Sequence, residues 1–442
     1  MVRFIFRRLS AFRIIILGFA AAVLLGAGLL MLPVSSAAGV WTRFPDALFT
    51  AVSAVCVTGL VVEDTGTYWS FFGQAVILFL IQTGGMGVVT AALLLAAASG
   101  RRIGLMQRTT LQEAVSFPQL GGVVRMLWFI VRWTALFEGL GALLLAPVFI
   151  SDFGWGRGLW FALFHSVSSF CNAGFDLTGV ISPGSSLMAY AGHSVVNLTV
   201  MGLIIAGGLG FVTWADLSIH RGRIRRCRMQ TKIILVMTAV LILIPAVLFY
   251  AADFAAEEGS RRVWLSLFQS VTARTAGYNT ADLSAMTEAG RLVLTALMLV
   301  GGSPGSTAGG MKTTAVFVLL AMTAAAFRQK EDVTGFGRRV APESIRLAGA
   351  VAALYILLLL FGSLMISYSG FPALDALFET ASAIGTVGLT IGVTGEAGDG
   401  VRCVLMLLMF LGRIGGMTLI YALYRQGGQV LSRLPEEKIS VG

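Results

Sequence analysis

Four short stretches share an arrangement of residues suited to handling a dehydrated cation. They read LFTAVSAVCVTGL (48–60), LFHSVSSFCNAGF (163–175), LFQSVTARTAGYNT (267–280) and LFETASAIGTVGL (377–389). Each opens on Leu-Phe and closes on a glycine followed by a large apolar residue: Gly59-Leu60, Gly174-Phe175, Gly277-Tyr278 and Gly388-Leu389. Phe to Gly is ten residues in the first, second and fourth copies and nine in the third, and successive glycines lie 115, 103 and 111 residues apart. The residues just before the glycines are Val57-Thr58, Asn172-Ala173, Thr275-Ala276 and Thr386-Val387. Backbone carbonyls at such turns can replace a cation's hydration shell, as in potassium filters. Glycine is needed because consecutive carbonyls face an axis only if some residues adopt positive φ, which other residues adopt at a cost.

These turns must be positioned by longer elements. A spanning helix needs about 20 mostly apolar residues. Such runs occur near 14–32, 72–98, 127–150, 187–212, 231–251, 345–368 and 401–424, with a longer, glycine-interrupted one at 289–325. One short stretch falls between the members of each successive pair. After each comes a turn region and a span with a glycine cluster: Gly84-Gly85, Gly207-Gly208, Gly301-Gly302 and Gly415-Gly416. The repeating unit is therefore span, half-helix, glycine turn, span. It divides the chain into four pore repeats at 1–100, 101–220, 221–330 and 331–442 and predicts an all-α integral membrane fold of pseudo-fourfold symmetry. A non-helical turn at membrane depth is tolerated only where it lines a watery cavity, and four around one axis meet that condition. The half-helices would aim their C-terminal, negative dipole ends at the cavity, favouring a cation. Glycine as a mere packing residue explains one such turn better than four in register.

Composition supports this class. Of 442 residues, 57% are hydrophobic and 12% charged, against about 25% charged in soluble domains. The first segment has signal-peptide-like arginines but no clear cleavage site, and reads as a retained span. With the N terminus inside, the inner segments hold 22 Arg/Lys and the outer ones six (Arg43, Arg157, Arg261, Arg262, Arg291, Arg402), which places both termini in the cytoplasm by the positive-inside rule. HRGRIRRCRMQTK (220–232) is then an inner loop rather than a nucleic-acid patch. Acids run the other way, 14 outside and seven inside, concentrating cations at an outer mouth. The cysteines (56, 171, 227, 403) and histidines (165, 193, 220) show no disulfide framework or zinc spacing and read as packing or solvated residues.

The 37 residues of 289–325 exceed one crossing. Their centre, Gly301, Gly302, Ser303, Pro304, Gly305, Ser306, Thr307, Ala308, Gly309 and Gly310, cannot be a good helix, because proline removes a donor and five glycines lower the propensity. It reads as a small, hinge-rich intramembrane loop below the turns. Lys312 follows it, and Arg413 lies in an otherwise apolar span; intramembrane charge marks ion pathways. Arg274 is expected to brace the third turn by pairing with Glu379 or Asp282. Arg132 and Glu138 read as snorkelling or structural residues.

CVTGL, CNAGF, RTAGYNT and GTVGL in register, GGSPGSTAGGMKTT and Arg413 in LGRIGGM together resemble the potassium-uptake superfamily of KtrB, TrkH and plant HKT transporters, over essentially the whole chain. The lack of two additional N-terminal spans is closer to KtrB. The resemblance implies a single-chain pore with potassium as substrate, gating by the 301–310 loop, a homodimer, and a cytosolic nucleotide-binding KtrA-like ring as partner. No phosphate-binding loop is visible here, so no cofactor is expected in this chain. Within the superfamily, glycine at the first filter position, here Gly59, goes with potassium and serine with sodium preference. The chain keeps only fragments of a five-residue potassium filter, such as TVG (386–388). Strictness against sodium, and a channel-like against a sodium-coupled mechanism, are left open. A secondary transporter would show two inverted halves, and a membrane enzyme a clustered catalytic set; neither pattern is present.

Overall fold

The computed structural model describes residues 11–98, 109, 110, 112 and 122–416. The end of the expected 401–424 span lies outside these residues. So do Arg3, Arg7 and Arg8, the 101–108 arginines, and Arg425, Arg433 and Lys438.

Helix α1 (Ala11–Leu30) is a spanning helix, followed by the half-helix α2 (Phe44–Cys56). Pro45 and Asp46 in the first turn start α2, as fixed φ and an acid suit a helix N-terminus. The next span is broken: α3 (Phe71–Met86) and α4 (Val88–Ala98) meet at 101°. In the second copy the outer span and half-helix form one helix, α5 (Val123–Phe170), interrupted at Gly154 with φ 78°. There the chain folds back, so that Gly158 lies against the Phe149 carbonyl with no room for a Cβ. The following span breaks too, α6 (Ser194–Leu209) meeting α7 (Phe211–Ile219) at 88°. The runs expected to span at 72–98 and 187–212 thus each contain a break. A positive-φ residue, Gly87 (φ 87°) or Gly210 (φ 85°), reverses the helical path where the sequence reads as uninterrupted apolar helix.

The third copy comprises α8 (Met229–Ala251), the half-helix α9 (Gly259–Thr272), α10 (Glu288–Leu299), a loop over 300–312, and α11 (Thr313–Phe327). The fourth comprises α12 (Pro342–Tyr368), the half-helix α13 (Ala373–Gly385), the short α14 (Val393–Glu396) and α15 (Asp399–Ile414).

Each half-helix packs on the inner span of the preceding copy: α5 on α3, α9 on α6, α13 on α10, and α2 on α15, which closes the circle. Polar ties reinforce three of these seams. Trp160 donates to Gln74 Oε1 at 2.9 Å, Arg291 meets Asp375 at 3.3 Å, and Arg402 meets Asp46 at 3.0 Å. The motif phenylalanines Phe49, Phe164, Phe268 and Phe378 are fully buried. Leu24, Leu25, Phe79, Leu143, Val247 and Leu357 are exposed on the long helices, an outer apolar belt that suits hydrocarbon rather than water. This is an all-α, multi-pass membrane fold.

Candidate functional site

The four half-helices end at one place. Within three residues of each end comes a residue with left-handed backbone: Val57, Asn172, Thr275 and Thr386, with φ of 58°, 59°, 75° and 51°. Two positions on, Gly59, Gly174, Gly277 and Gly388 again have positive φ. A Cβ on Gly59 would strike the carbonyl oxygen of Ala173; on Gly174, that of Ala276; on Gly277, that of Val387; on Gly388, that of Thr58. The contacts run in cyclic order and return to the start, so all four turns surround one axis. Carbonyls of Thr58, Ala173, Ala276 and Val387 lie at the seams, and the hydroxyls of Thr58 and Thr386 are buried without a hydrogen-bond partner. Oxygen-only donors around an axis suit a hard monovalent cation.

A second ring of residues was not singled out from the sequence, although it was legible there. Four residues after each motif phenylalanine stands a hydroxyl: Ser53, Ser168, Thr272 and Ser382. Ser53 and Ser382 accept from the amides of Gly59 and Gly388 at 3.1 Å. Ser168 and Thr272 donate to the carbonyls of Phe175 and Tyr278 at 2.8 Å. Their own carbonyls hold the turns: Ser53, Ser168 and Ser382 accept from Thr58, Ala173 and Val387, five residues on, whereas Thr272 accepts from Ala276, four on. That tighter closure is how the nine-residue third copy still brings Gly277 into the ring. His165 adds a brace, its Nδ1 on the Phe161 carbonyl and its Nε2 accepting from the Leu177 amide.

The 300–312 loop sits directly beneath. Its neck closes where Gly301 N donates to Met311 O at 2.9 Å. Thr307 Oγ1 donates to Phe170 O at 3.0 Å and lies 3.3 Å from Asn172 Oδ1. Gly309 lies against Thr386 Oγ1 with no space for a side chain. The α6–α7 break grips the loop from the side, Ser303 N donating to Gly208 O and Phe211 N to Gly305 O. Lys312 Nζ bonds the loop's own Ala308 carbonyl at 2.8 Å. Arg413 donates to Thr307 O in the loop and to Gly84 O and Gly85 O at the end of α3. Below lies a cavity of about 800 Å³ lined by Lys312, Arg413 and the hinge residues Gly87 and Gly415. The four turns form one layer and the 301–310 loop, with Lys312 and Arg413, a second beneath it.

Two sequence readings need correction. Gly84 and Gly207 lie against the carbonyls of Val55 and Phe170, and the residue in that place in the fourth copy is Gly412, against Ile384 O. Gly415 instead matches the hinges, with φ 84° beside 87° at Gly87 and 85° at Gly210. The Gly415-Gly416 pair was thus three residues out of register, and Arg413 stands where the first two copies have Gly85 and Gly208. Arg274, in turn, makes no ion pair among the described residues, and its Nε has no hydrogen-bond partner. Glu379 instead accepts from Thr390 and Thr394, and Asp282 from Ser284. Glu138 accepts from Gln82 at 3.2 Å, a buried structural contact.

At the face where the half-helices begin, two acids follow the turns. Burial pushes the Asp176 carboxyl up to about 6, opposed by hydrogen bonds from Thr178 and reinforced by Asp64. Burial also raises Glu63, with Asp46 adding and Arg402 opposing.

Broken spans, re-entrant half-helices and an axial ring of carbonyls define a class, the all-α integral membrane transporters of cations. The chain belongs to the TrkH cation transport protein family, whose family model matches residues 11–426. It is a KtrB-like member and not an enzyme. It is 37% identical to the potassium/sodium uptake protein NtpJ of Enterococcus hirae, over 99% of this chain and 98% of that one. It is 38% identical to the Ktr system potassium uptake protein B of Bacillus subtilis, over 97% and 96%. The crystal structure of the potassium transporter TrkH from Vibrio parahaemolyticus shares the fold at a TM-score of 0.72 and 19% identity, over 93% of this chain and 84% of that one.

Proposed function

We propose that this chain takes up potassium across the cytoplasmic membrane of a prokaryote. The ion passes a selectivity filter formed by Val57–Gly59, Asn172–Gly174, Thr275–Gly277 and Thr386–Gly388, one turn from each of four pore repeats. The observation that carries this reading is the closed cycle in which each turn glycine abuts the preceding carbonyl of the next copy. Four apposed carbonyl strands have no stabilising counter-charge of their own, and a dehydrated cation between them supplies it. The names of the relatives, potassium or potassium/sodium uptake proteins, support the same ion.

The 301–310 loop is the gate. It is held shut by Lys312 and by Arg413, which joins the loop to the first copy's broken span and sets a positive charge beneath the filter. Both termini are cytoplasmic, the working form is a homodimer, and a KtrA-like nucleotide-binding ring on the cytosolic face moves the gate. Sodium enters as a coupling or activating ion, as the potassium/sodium relative suggests. Rubidium uptake into liposomes bearing the purified chain, with and without sodium, tests the assignment. Uptake is expected for rubidium and potassium well above sodium; equal uptake of sodium and potassium, or none of either, would contradict it.

A further inference from the structure

The connection between the second and third copies contains three side chains that neither the pore nor the gate uses. Asp216 is near the end of α7, His220 follows one turn later, and Cys227 lies two residues before the start of α8. Consecutive positive-φ residues, Arg221 and Gly222, fold the chain back between them. The carboxylate oxygen, imidazole nitrogen and thiol sulfur all lie within 4.8 Å of one another. His220 Nδ1 is 3.3 Å from Asp216 Oδ1. Tetrahedral zinc with bonds of about 2.0–2.3 Å places neighbouring ligand atoms about 3.3–3.7 Å apart. The nitrogen–oxygen edge is thus already at ligand spacing, and the sulfur has about 1 Å to travel.

His220 Nδ1 also lies 2.9 Å from the Asp216 backbone carbonyl and Cys227 Sγ 3.6 Å from that of Arg223, contacts that an incoming ion replaces. Asp216 Oδ2 is committed, accepting from Arg228 N at 2.9 Å and Thr231 Oγ1 at 2.6 Å, which fixes the carboxylate and leaves Oδ1 to the triad. Asp216 and Cys227 are both 5% exposed, while the His220 side chain keeps 30% exposure, room for a water as fourth ligand. A carboxylate and a thiolate would neutralise a dication, which offsets the repulsion of Arg221, Arg223, Arg225, Arg226 and Arg228 nearby. Sulfur with imidazole selects zinc-class ions over magnesium or calcium.

We propose that Asp216, His220 and Cys227 form a regulatory site for a zinc-class divalent ion. Binding ties α7 to the start of α8. Because α7 begins at Phe211, whose amide holds Gly305 of the loop, a bound ion restrains the loop's lateral anchor and slows its displacement.

Cobalt(II) titrated into the full-length protein in detergent tests the site. One equivalent is expected to give a thiolate-to-cobalt charge-transfer band that zinc abolishes. The band should vanish in Cys227→Ser, weaken at least tenfold in affinity in His220→Ala, and persist in Cys403→Ser. No band, or one that survives Cys227→Ser, would overturn the site. Rubidium flux in proteoliposomes, the arm that rests on the transport reading, should fall at least twofold with saturating zinc in the unaltered chain and not in Cys227→Ser. Equal inhibition in both would overturn the restraint. Absent flux in the unaltered chain without zinc would refute the transport reading, while the cobalt band independently decides the site.

Discussion

At the same level of the molecule, the inner spans of the first two copies break at one residue and that of the third opens over thirteen. Gly87 and Gly210 turn the chain with nearly identical φ and nothing inserted, and Gly415 of the fourth copy has nearly the same φ. In the third copy GGSPGSTAGGMK occupies that level and lies under the ring of carbonyls. A hinge alone leaves the axis open, whereas a hinge lengthened into a loop fills it. The fourfold fold thus departs from its symmetry in one copy, where the inserted loop lies beneath the turns. Arg413 shows the same principle on a smaller scale: one copy carries a guanidinium where two others have glycine, and that side chain fastens the inserted loop.

Making the copies alike again should undo the closure. The largest effect is expected on replacing Gly301–Met311 by the hinge tetrapeptide Gly-Gly-Met-Gly of 84–87. Rubidium flux into proteoliposomes should rise at least tenfold, with monodispersity on size exclusion showing the protein intact; unchanged flux in such material removes the loop as the gate. Next, Arg413→Gly restores the residue present at 85 and 208 and should raise flux several-fold. A folded variant with flux equal to or below the parent would mean that the arginine supports conduction rather than closure.

Hinges should differ according to their contact with the loop. A side chain in left-handed backbone costs about 1–2 kcal/mol, so Gly87→Ala, whose added Cβ meets only Thr90 Oγ1 at 3.6 Å, should lower thermal stability by that much and leave flux unchanged. Gly210→Ala places its Cβ 2.8 Å from the Pro304 carbonyl and should in addition alter flux about twofold. Equal flux in the two variants would uncouple the second hinge from the loop.

The smallest effect concerns the outer acids. The Asp176 carboxyl is raised to about 6, chiefly by burial. It is therefore ionised above that pH and neutral below it, and its attraction for an entering cation rises with pH through 6. The apparent affinity for rubidium should fall about twofold between pH 7 and pH 5, and Asp176→Asn should abolish that dependence; a slope retained in the variant would assign it elsewhere.

The sequence made the turns legible because Leu-Phe, the terminal glycine and the spacing recur together, each with a distinct physical task. The loop was legible because proline among glycines cannot continue a helix. The breaks at Gly87 and Gly210 were not, since a single glycine inside an apolar run reads equally as a packing residue. For the same reason Gly415-Gly416 looked equivalent to Gly84-Gly85, and the true correspondence through Gly412 emerged only from which carbonyl each glycine approaches. Arg274 went astray differently: charge complementarity named its partners, but threonine hydroxyls and backbone amides had already claimed the carboxylates. The Asp216–His220–Cys227 group was hidden because its spacing follows no zinc pattern and the chain reversal at Arg221-Gly222 creates it.

The cyclic contacts carry a consequence for biosynthesis. Gly388 closes against Thr58, so the first turn lacks one neighbour until the last is made. At roughly 5–20 residues per second, the ribosome needs on the order of half a minute to travel from one to the other. Throughout that interval the first turn lacks its closing neighbour. The ring of apposed turns is therefore complete only once the last quarter of the polypeptide has been made.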